Sequence, residues 1–224
     1  MVVIDGTGVY NTAQYDSDMK NSFCVQIANG MGSKATYYRG PGGWGGTTIL
    51  RTWAGVSDIL SSDEKNVMIT GYSRGAAAAI ELAHYCRDMA ITVEAMFLFD
   101  PVKRDLALPN ADTIPHNVRN CYKVLRAPSK DSNAVSFMSP NNDRYARGWM
   151  RNCGESVEDP SLTFVDTPCV ISGSHGAAGG VPWGEYTPDK AATQMAADWM
   201  STRLQKHGLK ISLKNYWMAW HKNQ

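Results

Sequence analysis

The chain has 224 residues, of which 43% are hydrophobic, so it is long enough for one substantial core and short for two. Its 22 basic and 21 acidic residues give a net charge of +1, so nothing in the charge argues for DNA, RNA or an anionic membrane surface as a partner, and no nucleic-acid partner is expected. No apolar run approaches the roughly 18 residues that a membrane helix requires, so no integral membrane segment is expected. We therefore expect a single domain spanning residues 1–224.

Short apolar runs alternate with helix-compatible segments along the chain, a pattern typical of β-α units around a mostly parallel sheet. The predicted strands are 2–4, 35–38, 67–70, 95–99, 118–125 and 163–171. The predicted helices are 18–28, 48–60, 74–89 and 187–206. The last helix has the clearest start, with Thr187 as N-cap and Pro188 in the first turn, and it should end before Gly208. The sequence thus predicts a three-layer α/β fold with helices on both faces of the sheet.

Two segments, 101–117 and 131–160, lack a helix or strand period. Long irregular stretches in a compact domain are commonly lids or binding loops, so we expect lid or pocket loops there. Three large apolar residues, Trp149, Met150 and Trp183, either line an acyl pocket or roof the core.

A serine lies between two glycines where a predicted strand gives way to a predicted helix. Gly71, Ser73 and Gly75 form G-x-S-x-G in this setting, the pattern of a nucleophile elbow. The turn lifts the serine hydroxyl clear of the sheet, and the glycines lack the Cβ atoms that would collide. The N–H groups of the first helical turn face the elbow, so the Arg74 N–H is a candidate oxyanion donor.

A serine hydroxyl needs a histidine base, and the histidine needs an acid to fix its tautomer. On this fold the chain order is serine, acid, histidine. His175 follows the last apolar run and precedes the last helix, which makes it the candidate base. Three acids remain open: Asp100, which ends a strongly apolar strand, Asp131 in a polar loop, and Asp166 within the next strand.

The other four histidines are weaker candidates for the base. His84 precedes every candidate acid and is expected to be a partly buried surface residue. His207 and His221 lie in or after the last helix and are expected to be solvated. His116 lies in a loop before a strand, and no pattern supports a catalytic role for it.

Four stretches, "VVIDGTG", "ITGYSRGAA", "FLFDPV" and "GSHGAAGG", resemble the α/β-hydrolase-like family that includes the type VI secretion phospholipase effectors. They occur in the family's order and cover most of the chain through about residue 180. "FLFDPV" also resembles the acid-bearing strand of pancreatic-type lipases. The resemblance implies an α/β-hydrolase-like fold.

The resemblance also implies site residues. Ser73 would be the nucleophile, Asp100 the acid and His175 the base. The N–H groups of Gly6 and Thr7 would supply the second oxyanion donor. Asp5 would position that loop.

One residue departs from the family pattern: Ala177 stands where members usually carry an aspartate, two residues after the histidine. We expect a serine hydrolase that cleaves carboxylic esters, lipase-like or esterase-like, with a small-molecule or lipid ester, including phospholipid, as its substrate. Two alternatives stay open: a catalytically inactive binding or effector domain, and an acyltransferase.

Three other patterns do not predict a cofactor or a metal. Residues 40–45 match G-x-G-x-x-G, but no acidic residue closes the next strand to bind a ribose. "IDGTG" resembles a phosphatase motif whose attacking aspartate is replaced by Val3. The pair Asp16 and Asp18 is more typical of a helix start than of a cation site.

The cysteines and the chain end complete the predictions. The cysteine count is five, without a C-x-x-C pair, which fits neither a disulfide framework nor a zinc site, so most are expected to be reduced core residues. The aromatic tail "YWMAWHKNQ" is expected to dock on its own domain; an exposed tail would mark self-association. No signal-peptide pattern is present, which predicts a cytoplasmic protein or one exported without a signal peptide.

Overall fold

A computed structural model of the protein describes residues 1–42, 47–62, 66–103, 108–127, 150–182, 184 and 186–217. The strands are β1 (Val2–Ile4), β2 (Thr36–Tyr38), β3 (Asn66–Tyr72), β4 (Thr92–Phe99), β5 (Val102–Lys103), β6 (Thr113–Ile114), β7 (Asn120–Arg126), β8 (Arg151–Asn152), β9 (Ser156–Val157), β10 (Phe164–Val165) and β11 (Cys169–Ile171). The α-helices are α1 (Thr12–Met19), α2 (Phe23–Met31), α3 (Thr47–Ser61), α4 (Arg74–Asp88), α5 (His175–Ala178) and α6 (Pro188–Lys206).

Seven strands form one parallel sheet in the order β2-β1-β3-β4-β7, with β10 and β11 both paired to β7. Because all the strands run in one direction, their carboxyl ends meet at the same edge of the sheet. β3 lies near the middle of this order, so residues that follow it lie between the ends of β1 and β4. Active sites of open α/β sheets form at such an edge.

Helices cover both faces of the sheet, which confirms the predicted three-layer α/β fold. Apolar residues of α3 and α4, such as Ile59, Ile80 and Leu82, pack on one face. Apolar residues of α1, α2 and α6, such as Tyr15 and Phe23, pack on the other. Two buried clusters, one on each side of the sheet, therefore make up the core.

The predicted helix 18–28 is wrong, because the chain forms α1 and α2 with a break between them. Ser22 lies at the break and caps α2, accepting a hydrogen bond from the Val25 N–H at 3.0 Å. Asp16 and Asp18 lie inside α1, not at a helix start, and Asp18 accepts a hydrogen bond from Gln14 at 2.9 Å.

The predicted strand 163–171 is also wrong, because it forms the two short strands β10 and β11. Pro168 lies between them, and proline has no N–H to give to the ladder. Asp166 turns instead to helix α6, where its carboxylate accepts a hydrogen bond from Arg203 Nε at 3.0 Å.

The two irregular segments form small ladders over α4. β5 pairs with β8 and β6 with β9, and the residues around them bury Leu108, Ile114 and Cys153 against α4. The buried Glu81 carboxylate on α4 accepts hydrogen bonds from both the N–H and the side chain of Asn110. The described parts of these segments thus contribute to the core, and a lid or pocket role for the segments stays a prediction. Residues 104–107 and 131–149 lie outside the described residues, as do Trp149 and Trp183, while Met150 is half-buried.

The chain after α6 docks on its own domain as far as the structure describes it. The Leu213 N–H donates to Ser201 Oγ at 2.8 Å, and Trp217 is buried. The tail beyond 217 lies outside the described residues, so self-association through it stays a prediction. Thr187 precedes α6 as predicted but makes no side-chain cap bond.

The cysteine prediction is confirmed, because none of the five cysteines forms a disulfide and all are buried. Within the described ranges, every helix is too short or too polar to cross a membrane.

Candidate active site

Ser73 occupies a sharp turn between β3 and α4. Its backbone has φ 58° and ψ −127°, a region that residues other than glycine rarely adopt. The two motif glycines allow this turn: a Cβ on Gly71 would lie 2.6 Å from the Ala76 Cα, and one on Gly75 would lie 2.1 Å from the Asp5 carbonyl oxygen. The strand-turn-helix geometry predicted from G-x-S-x-G is therefore present.

The structure brings Ser73, His175 and Asp100 into one hydrogen-bonded chain. Ser73 Oγ lies 2.7 Å from His175 Nε2, and His175 Nδ1 lies 2.6 Å from Asp100 Oδ2. A carboxylate accepts hydrogen bonds, so the imidazole proton is on Nδ1 and Nε2 accepts from the serine hydroxyl. All three side chains are buried. The arrangement is that of a serine, its base and the acid that orients the base.

Asp100 reaches the histidine because the chain turns directly after β4. Its φ is 39°, in the left-handed region, which aspartate tolerates better than most residues. Its N–H donates to the Val124 carbonyl at 2.7 Å, and its second carboxylate oxygen accepts from the Arg126 N–H at 3.3 Å. Two contacts with the end of β7 thus fix the orientation of the carboxylate.

Asp189 holds the loop that carries His175. Its carboxylate, fully buried in the first turn of α6, accepts from the Ser174 N–H at 2.6 Å and from Ser174 Oγ at 2.5 Å. Ser174 in turn caps α5, because its Oγ accepts from the Ala177 N–H. The cap fixes the first residue of α5, which is His175.

Tyr72 forms a hydrogen bond with the backbone of His175. Its hydroxyl donates to the His175 carbonyl at 3.0 Å, and the two rings lie 5.1 Å apart. Burial raises the pKa of Tyr72 well above its usual value, so the phenol stays protonated and keeps donating. The residue before the serine therefore also anchors the histidine.

The loop after β1 lies beside the elbow, but its Gly6 N–H is already engaged. It donates to Asp5 Oδ1 at 2.7 Å, so the expectation that Gly6 supplies an oxyanion donor is wrong. Thr7 is the remaining residue of that prediction. Its Oγ1 is buried and has no hydrogen-bond partner among the described residues.

Asp5 acts on the structure of this loop through its buried carboxylate. Besides Gly6, it accepts from Ser22 Oγ at 2.5 Å and from the Tyr37 hydroxyl at 2.9 Å. Burial raises its pKa to about 6, although these three hydrogen bonds oppose the increase. Asp5 thus joins the loop after β1 to α2 and β2.

Arg74 starts α4 directly after Ser73, which places its backbone N–H at the elbow. Its side chain is buried and donates to the Gly42 carbonyl at 2.8 Å and to Thr48 Oγ1 at 2.7 Å. The first of these bonds joins the glycine-rich stretch 40–45 to the first residue of α4 through Gly42. Residues 43–46 lie outside the described residues.

The other candidate acids and histidines either form hydrogen bonds away from Ser73 or lie outside the described residues. Asp166 bonds Arg203, and Asp131 and His221 lie outside the described residues. His84 bonds the Thr113 carbonyl, and His116 pairs with Glu158.

The prediction that His207 is solvated is wrong, because the ring is half-buried against Phe97 and the hydroxyl of Tyr122. Burial lowers the pKa of this imidazole.

The chain matches no protein-family model, and no curated protein matches it. Among the described residues, no group of three or more His, Cys, Asp or Glu side chains could hold a metal ion. The sequence analysis did not identify two residues that support the site, Tyr72 and Asp189. A buried aspartate in the first turn of a helix resembles an ordinary helix start, so the sequence carries no signal for Asp189 beyond its position.

Proposed function

We propose that the protein is a serine hydrolase that cleaves carboxylic esters. One observation carries this proposal: the hydrogen-bonded chain from Ser73 Oγ through His175 to Asp100, with Ser73 held at a positive φ. The order serine, acid, histidine along a parallel sheet is that of α/β-hydrolases. The resemblance of "ITGYSRGAA" and "FLFDPV" to that family supports the same function.

The proposed reaction begins when His175 Nε2 takes the proton of Ser73 and the serine oxygen attacks the ester carbon. Asp100 stabilises the imidazolium that forms. The N–H groups of Arg74 and Thr7 donate to the oxyanion of the tetrahedral intermediate. His175 then protonates the leaving alcohol, which leaves an acyl group on Ser73. Water, activated by the same histidine, releases the acid and restores the serine.

The absence of an aspartate at residue 177 does not remove the acid from this scheme. Ala177 is buried among apolar side chains, and Asp100 already bonds the Nδ1 atom of the histidine. These contacts favour an active enzyme over an inactive binding domain.

A fluorophosphonate probe tests the proposal, because it labels serines that an adjacent base activates. We expect labelling of the wild type and of Ser33→Ala, which changes an exposed serine, and none of Ser73→Ala. Equal labelling of wild type and Ser73→Ala would contradict the proposal.

Turnover measurements then define the ester. We expect hydrolysis of p-nitrophenyl esters. Comparing turnover of a series of these esters of increasing acyl chain length with turnover of phospholipid vesicles separates an esterase from a phospholipase. Transfer of the acyl group to an added alcohol in preference to water would identify an acyltransferase. The absence of both labelling and turnover in the wild type would identify a binding domain.

A further inference from the structure

The peptide that joins Gly6 to Thr7 is held by Tyr15, a residue of α1. The Tyr15 hydroxyl donates to the Gly6 carbonyl at 2.8 Å, and both residues are buried. In a planar trans peptide, the carbonyl of one residue and the N–H of the next point in opposite directions. The bond to the Gly6 carbonyl therefore fixes the direction of the Thr7 N–H.

The Tyr15 hydroxyl is itself held so that its proton goes to Gly6. The Gly40 N–H donates to the Tyr15 oxygen at 2.7 Å, and a phenol has one proton to give. Burial, and then the nearby charge of Asp5, raise the pKa of Tyr15 well above its usual value. The phenol consequently stays protonated and donates at every pH at which an esterase would be assayed.

The ring of Tyr15 is fixed from the outside by Arg39. The guanidinium carbon lies 4.3 Å from the ring centroid, and the ring is 1% exposed. Arg39 also donates to Thr12 Oγ1 at 2.8 Å and to the Val9 carbonyl at 2.7 Å. It thereby joins α1 to the residues that follow Thr7.

Tyr15 and Asp5 act on different peptide planes. Asp5 accepts from the Gly6 N–H, which belongs to the peptide before Gly6. Tyr15 bonds the Gly6 carbonyl, which belongs to the peptide that carries the Thr7 N–H. Tyr15 is therefore the residue that sets the direction of the Thr7 donor.

We propose that Tyr15 is a positioning residue of the active site: its hydroxyl, held by Gly40, orients the Gly6–Thr7 peptide so that the Thr7 N–H donates to the oxyanion. This inference rests on the proposed function. Tyr15 itself does not touch the reacting atoms in this scheme. It acts through the Thr7 N–H, which donates to the oxyanion, so its effect is specific to the tetrahedral intermediate.

Tyr15→Phe tests the inference, because it removes the hydroxyl and keeps the ring. We expect kcat per titrated active site to fall about ten- to a hundredfold with KM unchanged, since the loss of a whole oxyanion donor costs about a hundred- to a thousandfold. Affinity for an alkyl trifluoromethyl ketone, which forms a tetrahedral oxyanion on the serine, should fall by the same factor. Tyr38→Phe is the matched control: it removes a bond from a tyrosine hydroxyl to the Ala54 carbonyl and should change neither quantity.

A rescue experiment keeps the inference testable if Tyr15→Phe folds poorly. p-Aminophenylalanine at position 15 restores a donor, and p-fluorophenylalanine fills the same space without one. We expect recovered kcat and ketone affinity with the amino group and none with fluorine. Equal values for these two variants, or wild-type kcat and ketone affinity for a folded Tyr15→Phe, would overturn the role of Tyr15. A wild type that neither binds the ketone nor turns over esters would instead overturn the proposed function.

Discussion

Asp189 accepts two hydrogen bonds from Ser174, one from its N–H and one from its hydroxyl. The two residues are 15 apart in sequence: Ser174 caps α5, Asp189 lies in the first turn of α6, and His175 follows Ser174 directly. The carboxylate thereby ties the position of the imidazole to helix α6, the longest helix among the described residues.

We predict that Asp189→Ala lowers both stability and turnover. The change leaves two buried donors of Ser174 without their acceptor, which costs about 2 to 4 kcal/mol of unfolding free energy, and His175 loses its anchor. We expect kcat/KM to fall at least about tenfold. Urea unfolding and ester hydrolysis measure the two effects. Asp198→Ala, on the exposed face of α6, is the control and should leave both near wild type.

Asp100→Asn should abolish most of the activity while the protein stays folded. An amide at this position favours the wrong imidazole tautomer and cannot stabilise the imidazolium, so we expect kcat to fall about 10³- to 10⁴-fold. Asp166→Asn, which weakens the pair with Arg203, should keep kcat within about threefold of wild type. Similar losses in the two variants would remove Asp100 from the proposed mechanism.

Thr7→Val tests whether the buried hydroxyl of Thr7 is a second donor to the oxyanion. Valine has nearly the shape of threonine, so packing is retained and the orphan Oγ1 is lost. We expect kcat to fall about ten- to a hundredfold, and Thr7→Ser to retain most of it. Full activity of Thr7→Val would leave the backbone N–H as the donor that Thr7 supplies.

Gly75→Ala should destabilise the fold far more than an alanine at an open position. Its Cβ would lie 2.1 Å from the Asp5 carbonyl oxygen and 2.4 Å from that of Ile4, so α4 must move away from β1. We expect a loss of more than about 3 kcal/mol. Gly208→Ala, at φ 74° with nothing within 4 Å, should cost about 1 kcal/mol. Thermal unfolding of the two variants makes the comparison.

Asp5 should make the protein lose stability as pH rises from about 4 to 6. Its folded-state pKa of about 6 exceeds the ordinary 3.8, so the folded state binds the extra proton across this window. The shift corresponds to roughly 2 to 3 kcal/mol.

Unfolding free energies measured at pH 4 and pH 7 test this prediction. The difference between the two values should be smaller in Asp5→Asn by that amount, while Asp198→Asn serves as the exposed control. An unchanged difference in Asp5→Asn would contradict the prediction.

The meeting of Ser73, Asp100 and His175 could be predicted because each follows its own strand in a parallel sheet. Strand direction alone brings such residues to one edge, and G-x-S-x-G identifies the strand that carries the serine. The limits of α3, α4 and α6 were also close to their predictions, because these helices have long apolar periods or clear ends.

The supporting contacts could not be predicted, since they join elements that are distant in sequence. Gly6 lies in the stretch "VVIDGTG", which predicts an oxyanion loop. The hydrogen bond from its N–H to Asp5, however, depends on the conformation of the turn after β1. The break at Ser22 arises because its hydroxyl both caps α2 and donates to Asp5. A pattern within one segment of the sequence does not show contacts with residues of another segment, such as that between Ser22 and Asp5.

The five buried thiols offer built-in reporters of partial opening. Cys24 lies in α2, Cys86 in α4, Cys121 in β7, Cys153 directly after β8, and Cys169 in β11. An alkylating reagent reaches each thiol when the surrounding layer separates, so mass spectrometry of the modified peptides would rank the layers by their opening free energies. The same thiols impose a practical condition, because a preparation that unfolds in air can be trapped by wrong disulfides.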